Sequence, residues 1–203
     1  MAIGVVIGTA AYALAWVVFG AVVWFLTQDK AEALLARAFK RNQRLARNAI
    51  GAVLLGIVLV VGGKTVPDLE WPRPWLLLVL QQGIGIAGLL VLLAAAQARD
   101  VWALLGLPLA GDAQPEQNAP FVVRGVLAYV RHPFSAGAIL ILVALVHDLR
   151  SAATAIFAII GILVALRLQE RALLRRFADY AAYQAQVPAL LPWRGRAWRR
   201  AES

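Results

Sequence analysis

Polar positions along this chain are scarce and fall in blocks. Residues 1–28, "MAIGVVIGTAAYALAWVVFGAVVWFLTQ", contain no charged side chain, and about 20 apolar residues suffice to cross a bilayer as a helix. A secretory leader would open on a basic segment and carry an apolar stretch of only about 7–15 residues. The run has no basic start and is longer, so it predicts a spanning helix. Residues 48–63, "NAIGAVLLGIVLVVGG", form a second run that is short for a span. Arg47 and Lys64 at its ends have stems long enough to reach the interface and complete it. A third run, residues 74–98, crosses without help. Two shorter runs, residues 133–146 and 151–166, are separated by "HDLR". Extending the first of these back through "GVLAYV" gives a full span with Arg131 and His132 at its entrance.

The pattern therefore predicts an all-α integral membrane protein with about five transmembrane helices, the last two a tight hairpin followed by a cytoplasmic amphipathic helix. Three spans occupy residues 1–120, and the hairpin and tail occupy 121–203, in a single membrane domain. "KAEALLARAFKRNQRLARN" alternates apolar and basic residues at helical spacing, as an interfacial helix or a solvated basic linker would. "GLPLAGDAQPEQNAPF" carries three prolines and two glycines and reads as an irregular loop.

Composition agrees with a bilayer. Of the 203 residues, 62% are hydrophobic and 15% charged, where soluble domains carry about a quarter. The absence of cysteine excludes disulfides, zinc–thiolate sites and thiol nucleophiles. Two histidines, His132 and His147, leave little scope for a metal centre, and none is expected. The net charge of +9 is read as basic residues collected at an anionic membrane face, without nucleic acid as a partner. Lysines and arginines are asymmetric across the spans. Six lie between the first two spans, three (Arg99, Arg124, Arg131) after the third, and eight from Arg167 onward. Only Lys64, Arg73 and Arg150 lie on the other side. This places the N-terminus outside and the C-terminus in the cytoplasm.

Candidate chemistry sits in "YVRHPF", residues 129–134, at the mouth of an apolar run. Pro133 suits a first helical turn or a kink, and Gly137 lies on the same face without side-chain bulk. Arg131 and His132 beside them could line a pocket for an anionic or polar ligand. Equally, Arg131 could anchor the span, with Gly137 letting two helices pack closely. Folding the last two helices about the turn near Leu149 brings Glu170 to the depth of His132, about 6 Å apart along the axis at 1.5 Å per residue. A carboxylate at that depth is either paired with Arg131 or Arg167 or aimed at a ligand. Beyond it Leu173, Leu174, Phe177, Tyr180 and Tyr183 share one face of an amphipathic helix, which ends at Pro188. His147 and Asp148 read as a polar turn.

"FVVRGVLAYVRHPFSAG" followed by "RLQERALLRRFADYAAYQAQVPALLPW" resembles the integral-membrane methyltransferases of the isoprenylcysteine carboxyl methyltransferase and phospholipid methyltransferase superfamily. Its pattern is R-H-P-x-Y-x-G, a spanning helix, a Glu-Glu pair, F-G-x-x-Y-x-x-Y and a proline-rich end. The match covers residues 121–193. The resemblance implies S-adenosylmethionine as methyl donor and a small or lipophilic acceptor entering from the lipid bilayer. Arg131, His132, Pro133, Gly137 and Glu170 would contribute to the cofactor pocket, with Tyr129 and Tyr183 as further candidates. No catalytic base is implied. Three positions depart from the pattern: Ser135 for tyrosine, Gln169 for the first glutamate and Ala178 for glycine. The stretch "AILILVALVHDLRSAATAIFAII" also resembles NnrU-like membrane proteins, which leaves a non-catalytic role as the alternative. An NADPH-dependent intramembrane reductase of the sterol type shares R-H-P, but Phe134–Ser135 and Gly137–Ala138 do not fit its pattern.

Overall fold

The computed structural model describes residues 2–98, 123–192 and 198. The proline-rich loop of residues 106–121 lies outside them, as does most of the tail after Pro192. All regular secondary structure among the described residues is helical. The order is α1 (Ala2–Phe25), α2 (Asp29–Phe39), a 3-10 turn (Lys40–Asn42), α3 (Gln43–Thr65), α4 (Trp75–Ala98), a 3-10 turn (Gly125–Ala128), α5 (Pro133–Ala144), α6 (Leu149–Arg176) and α7 (Tyr180–Gln186). Four of these are long and apolar enough to cross a membrane: α1, α3, α4 and α6. They leave most of their large apolar side chains exposed, as a lipid-facing surface requires; their backbones satisfy their own hydrogen bonds.

Several boundaries differ from the sequence expectation. Helix α3 begins at Gln43 and runs for 23 residues, so the second span is not short. It absorbs "QRLARN", which splits the expected interfacial helix of residues 30–48 at the 3-10 turn. The split falls where Lys40 takes a φ of 47° and a ψ of −118°, outside the right-handed helical region. The run from residue 133 does not extend back through "GVLAYV". That segment forms the 3-10 turn, and α5 starts afresh at Pro133, because the residue before a proline is driven out of helical geometry. His132 accordingly has φ −124° and ψ 63°. The resulting α5 has 12 residues, about 18 Å at 1.5 Å per residue. Helix α6 continues through Glu170 to Arg176, so the expected amphipathic tail helix is divided. Its first part ends the span, and its second is the seven-residue α7.

The described residues form two compact units, one of residues 2–73 and 146–161, the other of 74–98, 123–145, 162–192 and Trp198. Helix α6 lends its start to the first and its end to the second. In the first unit α1 packs on α3 around Tyr12, which is fully buried. A Cβ at Gly62 would lie 2.6 Å from the Tyr12 ring, so the missing side chain is what lets the ring seat. The Tyr12 hydroxyl meets Thr154 Oγ1 at 2.9 Å, and Trp16 and Phe157 contact the same ring edge-on. Asp148 caps α6. Its Oδ1 accepts from the Ser151 N–H at 2.6 Å, and the Ser151 hydroxyl oxygen accepts from the Asp148 N–H at 2.9 Å. That reciprocal pair is a capping box. Residues 66–70 are tied to the same end by Leu149 N–H donating to Leu69 C=O at 3.2 Å and by the Arg150–Asp68 ion pair.

In the second unit α4 and α5 lie in close contact. A Cβ at Gly137 would stand 2.8 Å from the Gly88 carbonyl and 2.7 Å from Leu92, and one at Gly88 would stand 2.9 Å from Leu140. These two glycines set the approach of the helices.

Candidate functional site

The chain enters the site at Gly125, whose φ of 56° favours glycine. The 3-10 turn then carries residues 129–132 to the mouth of α5. Pro133 occupies the first helical position, where its missing N–H costs nothing. The chain therefore turns before the proline and is not kinked by it. Here Arg131 and His132 lie beside the irregular segment of residues 187–189. The Arg131 N–H donates to the Pro188 carbonyl and the His132 N–H to the Ala189 carbonyl, both at 3.0 Å.

Glu170, near the end of α6, is the hub. Its Oε1 accepts from Arg131 Nη2 at 2.6 Å, Arg131 Nε at 2.9 Å and His132 Nε2 at 3.0 Å. With a carboxylate as acceptor, that imidazole nitrogen carries the proton. Glu170 Oε2 accepts from Gln184 Nε2 at 3.1 Å. Arg131 Nη1 donates to the carbonyls of Gln184 at 2.9 Å and Val187 at 2.6 Å. The side chains of Arg131, His132 and Glu170 are 9%, 7% and 13% exposed, so this is a largely desolvated ion pair with its polar atoms satisfied.

An aromatic floor supports it. Tyr180, Tyr183 and Val187 are buried, with Leu173, Phe177 and Val123 packed against them. The Tyr183 hydroxyl donates to the Leu127 carbonyl at 2.5 Å. The Tyr183 ring stacks edge-on with Tyr180 at 5.7 Å and Trp198 at 5.8 Å, a geometry that favours aromatic pairs. The Trp198 backbone N–H donates to the Ala128 carbonyl. The apolar face read from Leu173 to Tyr183 thus packs on the chain itself; Leu174 alone of those residues is exposed.

Arg131, His132 and Glu170 come together; Pro133 follows them as the first residue of α5, and Tyr183 sits in the aromatic cluster with its hydroxyl on Leu127. Tyr129 is 47% exposed, and its N–H closes the preceding turn on Val126. Gly137 faces Gly88 and Leu92 of α4 instead of the cluster. Of the two carboxylate pairings open to Glu170, the one with Arg131 forms. Asp148 is placed as the cap of α6, with His147 Nε2 3.8 Å from its Oδ2. Sequence reasoning missed Gln184 and the carbonyls of 187–189. A signal for Gln184 exists: four residues after Tyr180, it is a polar position on the apolar face of α7. The carbonyls carry no sequence signal at all. Of the departures from the methyltransferase pattern, Ser135 is half-buried in the first turn of α5, while Gln169 and Ala178 are exposed.

Compared with protein-family models, curated proteins and solved structures, the chain matches none.

Proposed function

We propose that the chain is an integral-membrane enzyme that transfers a methyl group from S-adenosylmethionine to a small or lipid-borne acceptor: a carboxylate, thiol or amine. The observation that supports this reading is the convergence of His132 and Arg131 with Glu170 from segments 38 and 39 residues apart, against the segment of residues 184–189. The donor set fits the cofactor's chemistry. Glu170 offers a carboxylate for an ammonium or a ribose diol, and an anionic group of the cofactor would take over the His132 ring N–H that Glu170 Oε1 accepts here. When bound, the cofactor supplies an electrophilic methyl on a positive sulfonium. Glu170 would supply negative charge to the bound cofactor, and Arg131 holds the end of α7 through the Gln184 and Val187 carbonyls. Positioning carries much of the rate. In this reading α5 and α6 form a hairpin that counts as the fourth and fifth spans. The count of basic residues puts the N-terminus outside and the site at the cytoplasmic face of the inner membrane.

A second reading, a non-catalytic membrane protein, is supported by the mutual satisfaction of Arg131, Glu170 and Gln184, which makes them a self-sufficient latch. Methyl-tritiated S-adenosylmethionine, added to membrane vesicles containing the protein, separates the two. The enzyme reading expects label in extractable acceptor that falls to background in Glu170→Gln. Release of the label as methanol in mild base identifies a carboxyl ester; retention identifies an amine or thiol acceptor. Transfer no greater than in vesicles lacking the protein rejects the enzyme and leaves the latch.

A further inference from the structure

The first unit has a groove of about 410 Å³ between the end of α1 and the start of α3. Its floor is Gly51 and Ala52, its walls include Phe19, Val23 and Leu55, and Arg47 stands at one end. The hollow follows from sequence. Residues 48, 51, 52 and 55 share one face of α3, and the two smallest side chains fall in the middle of it. A Cβ at Gly51 would meet nothing within 4 Å. Arg47 is the last charge before sixteen uncharged residues, 48–63, so the groove runs from the polar boundary into the apolar zone. From Arg47 to Leu55 that is about 12 Å at 1.5 Å per residue. Trp24, 53% exposed near the end of α1, marks the same boundary as an interfacial aromatic.

Charge says what fits. Residues 29–47 hold six basic side chains and two acidic ones, a net of +4. Arg47 donates to Glu32 through Nη1 at 2.8 Å, in a pair 32% and 48% exposed. Its remaining N–H groups point to no partner among the described residues. An apolar slot ending in a partly free guanidinium matches an acyl chain ending in a phosphate. We infer that this groove seats one anionic phospholipid, its acyl chain over Gly51 and Ala52 and its phosphate on Arg47.

Native mass spectrometry of the full chain, delipidated in non-ionic detergent, tests this with phosphatidylglycerol and phosphatidylcholine of identical acyl chains. The expected result is one retained phosphatidylglycerol, preferred over phosphatidylcholine by about fivefold or more, the scale of one basic residue at an anionic surface. Arg47→Gln removes the preference. Gly51→Leu fills the floor and removes retention of both lipids, while a thermal scan shows it folded. Glu32→Gln breaks the same ion pair but leaves the guanidinium, and so keeps or raises the preference. The inference is overturned if Gly51→Leu retains lipid as the wild type does, or if Glu32→Gln loses the preference together with Arg47→Gln. Binding of sn-glycerol 3-phosphate as tight as that of the lipid also overturns it, as does a dimer peak that Gly51→Leu abolishes, since the occupant would then be a free phosphate or a second copy.

Discussion

Arg131 uses Nε, Nη1 and Nη2 at once, two on Glu170 and one on the carbonyls of the tail. Removing one partner of a buried ion pair leaves the other charge uncompensated, at a cost of about 3–5 kcal/mol. Glu170→Ala should therefore lower stability by about that amount, measured by equilibrium unfolding in mixed micelles. Arg131→Ala should cost more, because it also strands two carbonyls at about 1–3 kcal/mol each. Equal losses in the two variants would show that the contacts to the tail contribute little. Asp148 gives a pH dependence. Burial pushes its carboxyl up, but the Ser151 hydroxyl and N–H, the neighbouring His147 and Asp68 together outweigh it, so its pKa lies below the ordinary value. The folded pKa is thus below the unfolded one, and the cap's contribution is complete above about pH 4 and fades as pH falls through the lower folded value. Hydrogen exchange in the first turn of α6 should accelerate as pH falls through that window, after correction for the intrinsic rate. Asp148→Asn should flatten the change while keeping most of the cap.

At the scale of elements, the glycines separate into two kinds. Gly88 and Gly137 sit where a Cβ would overlap the facing helix, whereas Gly51, Gly56 and Gly83 face open space. Gly137→Val should destabilise by at least about 1–3 kcal/mol, as overpacking does, and Gly83→Ala should raise stability slightly through helix propensity. Thermal scans of the two variants side by side check this, and a tolerated Gly137→Val would refute the α4–α5 approach. The uncharged runs located α4 to within a residue and α1 to within a turn, because such a run maps directly onto an apolar helix. They failed at α3 and α6, whose ends continue past the apolar run into charged residues: a helix goes on as long as its backbone bonds are intact, whatever faces water. They failed again at α5, where a proline decided the boundary and hydropathy did not register it. Within the site, Arg131, His132 and Glu170 were legible because ionisable groups are rare at that depth. The tail carbonyls were not, since any residue supplies one.

For the whole molecule, four long apolar helices are compatible with an integral membrane protein. The proposed sidedness rests on the distribution of basic residues and is directly measurable, because the chain has no cysteine. In intact cells a membrane-impermeant maleimide should label Glu70→Cys and leave Lys30→Cys unlabelled until the membrane is opened. The reverse pattern would put the cluster of Arg131 and Glu170 on the outer face, away from a cytoplasmic supply of S-adenosylmethionine.

The most direct test of the proposed activity is isothermal titration of the detergent-purified full chain with S-adenosylhomocysteine, beside Glu170→Gln and His132→Ala. Glu170→Gln keeps the size and part of the hydrogen bonding of the hub, and a thermal scan establishes that the variant is folded before it is titrated. Saturable binding by the wild type, lost or weakened at least about tenfold in both variants, is the predicted result, the scale of one charge-assisted hydrogen bond. A folded wild type that takes up no heat, or variants that bind as it does, would contradict a cofactor site at Arg131, His132 and Glu170.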